Sequence, residues 1–201
     1  MTSKTPIDLA QSLLKRKGLA RSRDLERAGI SRTELRRLRA RGAIERVSRG
    51  LYTLPGAVLS ERQHLAEAAQ RVHGGIVCLL SALRFHGLTT QNPFEVWMAI
   101  DRKSWRPRIE HPPLRFVYLS GHTLRGGVEA HDVGGVTVRV FSAAKTVADC
   151  FKFRNKIGTD VAVEALRDYR RLHSKQLEAL WYFAEMDRVT RVMRPYLEAI
   201  G

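Results

Sequence analysis

Between Ser31 and Gly42 the chain reads SRTELRRLRARG, a segment with few ways to fold. Ser31 and Glu34 have the S-x-x-E spacing of a capping box: the serine hydroxyl accepts from the glutamate backbone, and the carboxylate reaches back to the serine N–H. Gly42 is the kind of residue on which a helix stops. The spacing therefore predicts a helix between these two ends. On a wheel of about 100° per residue, Leu35 and Leu38 share one side with the preceding Ile30 and must face a core. Thr33, Arg36, Arg37 and Ala40 lie opposite, with Arg32, Arg39 and Arg41 flanking them. Such a helix can pack by one side only, and its other side is a dense field of arginine.

The neighbouring segments fit round it. Ile7, Leu9, Ala10, Leu13 and Leu14 recur at helical spacing, with Thr5 as cap, Pro6 at the first helical position and Gly18 at the end. Ser22 is read as the cap of a second short helix, RDLERA, which stops at Gly29. After Gly42, AIERVSRGLYTLP carries apolar, β-prone residues at Ile44, Val47, Leu51, Tyr52 and Leu54 around a Ser48-Arg49-Gly50 turn, and Pro55 cuts it off. Three short helices, the last two joined by a tight glycine turn, followed by a hairpin, predict a winged helix-turn-helix over residues 1–56.

Charge says what such a domain meets. The 201 residues hold 35 Lys and Arg against 20 Asp and Glu, a net charge of +15. An excess of that size draws polyanions. It is concentrated: residues 1–55 carry fourteen basic and five acidic side chains, +9, leaving +6 for the rest. A membrane surface is the rival partner. No run of eighteen apolar residues exists, however, and the opening MTSKTPIDLAQSLLKRKG lacks the apolar core of a signal peptide, so a cytoplasmic protein away from membranes is expected. Cys78 and Cys150 are isolated in apolar runs and read as buried hydrophobes in a reducing compartment rather than metal ligands.

Double-stranded DNA is thus the expected ligand of the N-terminal domain. Thr33, Arg36 and Arg37 would reach base edges, with Arg32, Arg39 and Arg41 on phosphates, and Arg46 and Arg49 of the hairpin on the backbone or minor groove; Arg21 and Ser31 complete the expected DNA-binding set. An arginine-rich helix face can also be plain solvated surface. That reading normally brings acids at i,i+4, and here Glu34 alone is available, already committed to the capping box.

Beyond a PGAVLS linker at 55–60, residues 60–201 predict an α+β domain of about four strands and several helices. Ser60 with Gln63 caps a helix ending at Gly74; IVCLLSALRFHGL is a short strand or buried turn followed by a helix from Ser81 to His86. FEVWMAI (94–100) and LRFVYLS (114–120) are strands, and 128–142 is a hairpin across Gly134-Gly135. Ser142 caps AAKTVADCFKF, Thr159 and Asp160 open VAVEALRDYRRL, Ser174 opens KQLEALWYFAEM, and VTRVMRPYLEAI is helical around Pro195. The loop between the first two strands carries Arg102, Lys103, Trp105, Arg106 and Arg108 and is the expected second interaction site.

Taken together, SRGLYTLP at the end of the winged helix, then SALRFHGL, then VRVFSAAKTVADCFKFRNKIGTDVAVEALRDYRR, resemble the AbiEi family, antitoxins of type IV toxin–antitoxin systems that also act as bacterial transcriptional regulators. The resemblance runs from about residue 7 onward. It implies a repressor whose winged helix binds inverted repeats in its own promoter, and whose C-terminal domain counters a nucleotidyltransferase-like toxin without necessarily touching it. It further implies a monomer or weak dimer in solution with more than one copy on DNA. The alternative is a stand-alone winged-helix transcription factor whose C-terminal domain oligomerises or binds an effector.

No catalytic activity and no cofactor or metal is expected. GxxxxGK[ST], GxGxxG after a strand, HExxH and GxSxG are all missing. Glu95 with Asp101 and Lys103 resembles a nuclease constellation, but a salt bridge at a strand end explains it more simply. His86, before Gly87, is placed to favour a helix C-terminus as a cation, and Asp149 on an apolar helix needs Lys145 or Arg154 as partner.

Overall fold

The computed structural model describes residues 5–57, 60–109 and 111–200. Positions 58 and 59 of the expected linker, and the extreme ends of the two expected domains, lie outside the described residues. The contacts divide the chain into two compact units: residues 1–73 with 132–138, and residues 74–131 with 139–201.

The first unit holds α1 (Pro6–Lys17), β1 (Ala20–Arg21), α2 (Ser22–Arg27), α3 (Arg32–Ala40), β2 (Glu45–Ser48), β3 (Leu51–Thr53) and α4 (Glu61–Arg71). It is the winged helix that the sequence predicts, with a three-stranded sheet in the order β1-β3-β2. Thr5 caps α1, its hydroxyl accepting from Asp8 N. Ser22 is not the cap of α2. Arg21 takes that position because β1 pairs with β3 up to that residue, and its N–H is capped by the Asp24 carboxylate at 3.3 Å, while Ser22 N donates to Gly50 O. Ala10, Leu14, Leu25, Ile30, Leu35, Leu38 and Ile44 form one core. Burying a leucine there contributes about 1.5–3 kcal/mol.

α4 also belongs to this unit, whereas the sequence reading assigned it to the C-terminal domain. The physical reason lies at its last turn. Gln70 Nε2 donates to Arg49 O at 3.0 Å, Ser48 Oγ donates to Gln70 Oε1 at 2.9 Å, and Arg71 donates to Val47 O at 3.0 Å. Arg71 also pairs at 2.7 Å with Glu67, which is buried. The short hairpin β2–β3 would otherwise leave those carbonyls to solvent.

The second unit is built on a mixed five-stranded sheet, in the order β6-β5-β4-β8-β7, of which residues 132–138 of the last hairpin are grouped with the first unit. Its strands are β4 (Ile76–Val77), β5 (Val96–Asp101), β6 (Leu114–Leu119), β7 (Val128–Val133) and β8 (Val136–Phe141). The two-residue β4 makes the fifth strand: Val77 lies opposite Met98 on one side and Val140 on the other. β5 and β6 run parallel in continuous register, from Val96 opposite Leu114 to Asp101 opposite Leu119. Gly134 and Gly135 both take positive φ, as a two-residue turn matching strand twist requires.

Helices α5 (Leu79–His86), α6 (Gly121–Arg125), α7 (Ala143–Lys152), α8 (Arg154–Ile157), α9 (Thr159–Leu172), α10 (Leu177–Met186) and α11 (Thr190–Ile200) complete this unit. α5 starts two residues earlier than expected. Ser81 lies inside it, and its hydroxyl accepts from Trp97 N at 3.0 Å, tying the helix to β5. α7 is the central helix: Ser142 caps it, and every residue from Ala143 to Phe151 is buried. His86 is also used differently from its expected role as a helix-end cation. Burial holds its pKa below the usual range, and its ring hydrogen-bonds the Phe141 carbonyl at 2.7 Å, so it is a neutral brace between α5 and β8.

Cys78 and Cys150 are both free and buried, and burial pushes both thiols well above their ordinary pKa. The thiolate is the reactive form. Neither cysteine is therefore expected to react with a chromogenic disulfide reagent in the folded protein, and both should react on unfolding in urea. One equivalent released from native protein would contradict this placement.

Candidate nucleic-acid interface

The buried side of α3 fixes what its other side presents. Leu35 and Leu38 are 3% and 6% exposed and pack with Ile30 and Leu25. Thr33, Arg36, Arg37, Arg39, Ala40 and Arg41 are all exposed. The helix is held at both ends. Ser31 Oγ accepts from Glu34 N at 3.2 Å while Ser31 N donates to the Glu34 carboxylate at 2.8 Å. Gly42, at φ +68°, lets its own N–H reach Arg39 O, and that of Ala43 reach Leu38 O.

Electrostatically, the one acid on α3 is spoken for. The Ser31 side chain, then its backbone N–H, holds the Glu34 carboxyl below the usual range. Arg36, Arg39 and Arg41 form no ion pair among the described residues; Arg36 Nη2 reaches only Thr33 Oγ1, at 3.5 Å. Past Arg32, the exposed surface of α3 is therefore a cationic strip in which only Arg37 feels an acid, Glu34, with one short hydroxyl residue in it.

The remaining expected contact residues are placed less uniformly. Ser31 spends its hydroxyl on the cap. Arg32 is exposed but pairs with Glu26 of α2 at 2.7 Å, a contact that exposed side chains open readily. Arg21 lies in β1, half-buried, with its Nε buried and without a hydrogen-bond partner. Arg46 and Arg49 are exposed on the wing, Arg46 Nε donating to Ser48 O at 3.2 Å. Gln70 and Arg71, which anchor the wing backbone, have no local sequence signal. They lie on a helix that reads as part of the next domain, and only tertiary packing reveals them.

Two other groups of residues considered in the sequence resolve differently. Glu95, just before β5, pairs with Arg115 of β6 at 3.3 Å, and Asp101 Oδ1 accepts from Lys103 N at 2.8 Å, a backbone contact where a salt bridge was expected, so both nuclease-like carboxylates have partners. Among the described residues no three His, Cys, Asp or Glu side chains gather as metal ligands would. Arg102, Ser104, Trp105, Arg106 and Tyr118 do come together, around an open hollow. No helix among the described residues is long and apolar enough to cross a membrane.

No curated protein matches the chain. Residues 8–55, which span α1 to the end of the wing, match the family model of AbiEi antitoxin transcriptional regulators. Over these residues the winged helix is similar to the AbiEi antitoxin transcriptional regulators.

Proposed function

We propose that the winged helix binds operator DNA with α3 in the major groove and represses the chain's own operon, and that the C-terminal unit is the antitoxin against a nucleotidyltransferase-like toxin encoded beside it, in the cytoplasm. The observation that carries the first half is the exposed strip of Thr33, Arg36, Arg37, Arg39 and Arg41, whose only acid is locked in a capping box. Arginine at the centre of such a helix suits bidentate contact with guanine, and arginine at its shoulders suits phosphate. The second half rests on the AbiEi match together with the resemblance of residues 139–171.

The test uses the full chain and an Arg36→Ala/Arg37→Ala variant, each expressed beside a reporter driven by the chain's own upstream region and, separately, beside the adjacent gene under an inducible promoter. The wild type is expected to silence the reporter and restore growth. The variant is expected to release the reporter yet still restore growth. Full repression by the variant would overturn the placement of α3, and absence of rescue by either protein would overturn the antitoxin assignment.

A further inference from the structure

Trp105 is 88% exposed, in the loop that joins β5 to β6. A tryptophan this exposed presents a large amphipathic ring that is free to stack on a ligand. Its surroundings narrow the contact down. With Arg102, Ser104, Arg106 and Tyr118 it lines an open hollow of about 580 Å³, beside edge strand β6. Tyr118 is itself 40% exposed, and the Arg106 guanidinium sits 5.6 Å from the Phe116 ring.

The charge of this region is one-sided. Arg102, Lys103, Arg106 and Arg108 all lie within one short stretch. The acid that begins it, Asp101, gives its Oδ1 to the Lys103 backbone and so neutralises none of them directly. Two exposed rings and two arginines with no ion pair among the described residues line one hollow, and together they match one kind of ligand: alternating flat bases and phosphates. In a duplex the bases are stacked on one another and offer no face to Trp105, whereas an unpaired strand offers a face at every base.

We infer that the hollow bounded by Arg102, Trp105, Arg106 and Tyr118 binds single-stranded nucleic acid, with bases on the two rings and phosphates on the two arginines. This site is separate from α3, which serves paired DNA, and it gives the C-terminal unit a nucleic-acid ligand of its own. Base–aromatic stacking of this kind is worth about 1–3 kcal/mol per base, so losing one ring should weaken binding by roughly 5- to 150-fold.

The experiment titrates the full-length protein into a fluorescein-labelled single-stranded 12-mer, as RNA and as DNA, and into a duplex of equal length. Trp105→Ala should lose single-strand affinity by about the factor above and leave duplex affinity unchanged. Trp105→Phe should recover much of the loss. Arg36→Ala/Arg37→Ala should show the converse, losing duplex binding and keeping the single strand. Trp105 contributes no buried side chain, so its replacement leaves the fold intact, and circular dichroism checks this. Unchanged single-strand binding by Trp105→Ala would overturn the inference. So would an equal loss on single strand and duplex, which would make the hollow an extension of the duplex surface. Absence of single-strand binding by the wild type would do the same.

Discussion

Lys145→Met is expected to lower the unfolding free energy by about 3–5 kcal/mol, the usual cost of stranding buried charges by removing their partner. Lys145 is fully buried on α7, with its ammonium over the Phe141 ring at 5.0 Å. It hydrogen-bonds Asp149 one turn along and Asp187, after α10, at 3.1 Å; Lys152 reaches Asp187 from the rim at 2.9 Å. Removing Lys145 leaves Asp149 and Asp187 inside an apolar core, with the partly exposed Lys152 pairing Asp187 alone. Urea unfolding followed by the fluorescence of Trp97 and Trp181 would measure the effect. An unchanged midpoint would mean the network contributes nothing to stability.

The same network makes stability depend on pH in a definite direction. Burial, outweighing the Lys145 charge and helped by the Asp187 carboxylate beside it, pushes the Asp149 carboxyl up to about 8. In the unfolded chain an aspartate titrates near about 3.9. Between those values the folded protein holds a proton that the unfolded chain has released. The contribution is therefore complete below about pH 4 and is lost as pH rises through about 8. Asp187 behaves oppositely: burial raises it, but Lys145, the hydrogen bond with Asp149 and Lys152 together hold it below the usual range, so its contribution fades only as pH falls toward the acid end. Asp149→Asn keeps the hydrogen-bonding shape without the titration, and should flatten the decline in stability between about pH 4 and 8.

The other large effect concerns recognition. Arg36→Ala and Arg37→Ala are each expected to cost about 1–3 kcal/mol of operator affinity and to relax sequence preference, because a guanidinium that reads a base edge discriminates as well as attracts. Arg49→Ala, on the wing, should weaken binding to all sequences alike and reduce the salt slope by about 1. The contrast matters more than either number. Uniform weakening by all three would make α3 a phosphate-binding helix without a reading role.

What was legible from the residues was mostly local. The capping box at Ser31 and Glu34, the Leu35–Leu38 stripe, the Gly134-Gly135 turn and the serine cap of α7 are short-range patterns, and each stands where expected. What escaped depends on distant partners. Ser22 yields the cap position to Arg21 because β1 pairs with β3, a strand some thirty residues on. α4 follows the wing because Gln70 and Arg71 meet carbonyls more than twenty residues away. Asp149 drew Lys145 as expected but not Arg154, whose guanidinium donates to Phe151 O, and Asp187 was unforeseen because it lies 42 positions from Lys145. For the candidate interface the pattern repeats. The exposed arginines of α3 could be named from a helical wheel, while the engagement of Arg32 by Glu26 and the half-burial of Arg21 could not.

Whether α3 reads sequence can be settled by one titration: the purified protein against its own upstream region and against unrelated DNA of equal length, at low and at near-physiological salt. A reading helix predicts a preference for the upstream region that persists at the higher salt, with both affinities shifted down together by counterion release. Equal affinities that collapse in parallel as salt is raised would contradict it, and would reduce the net charge of +15 to generic attraction for a polyanion.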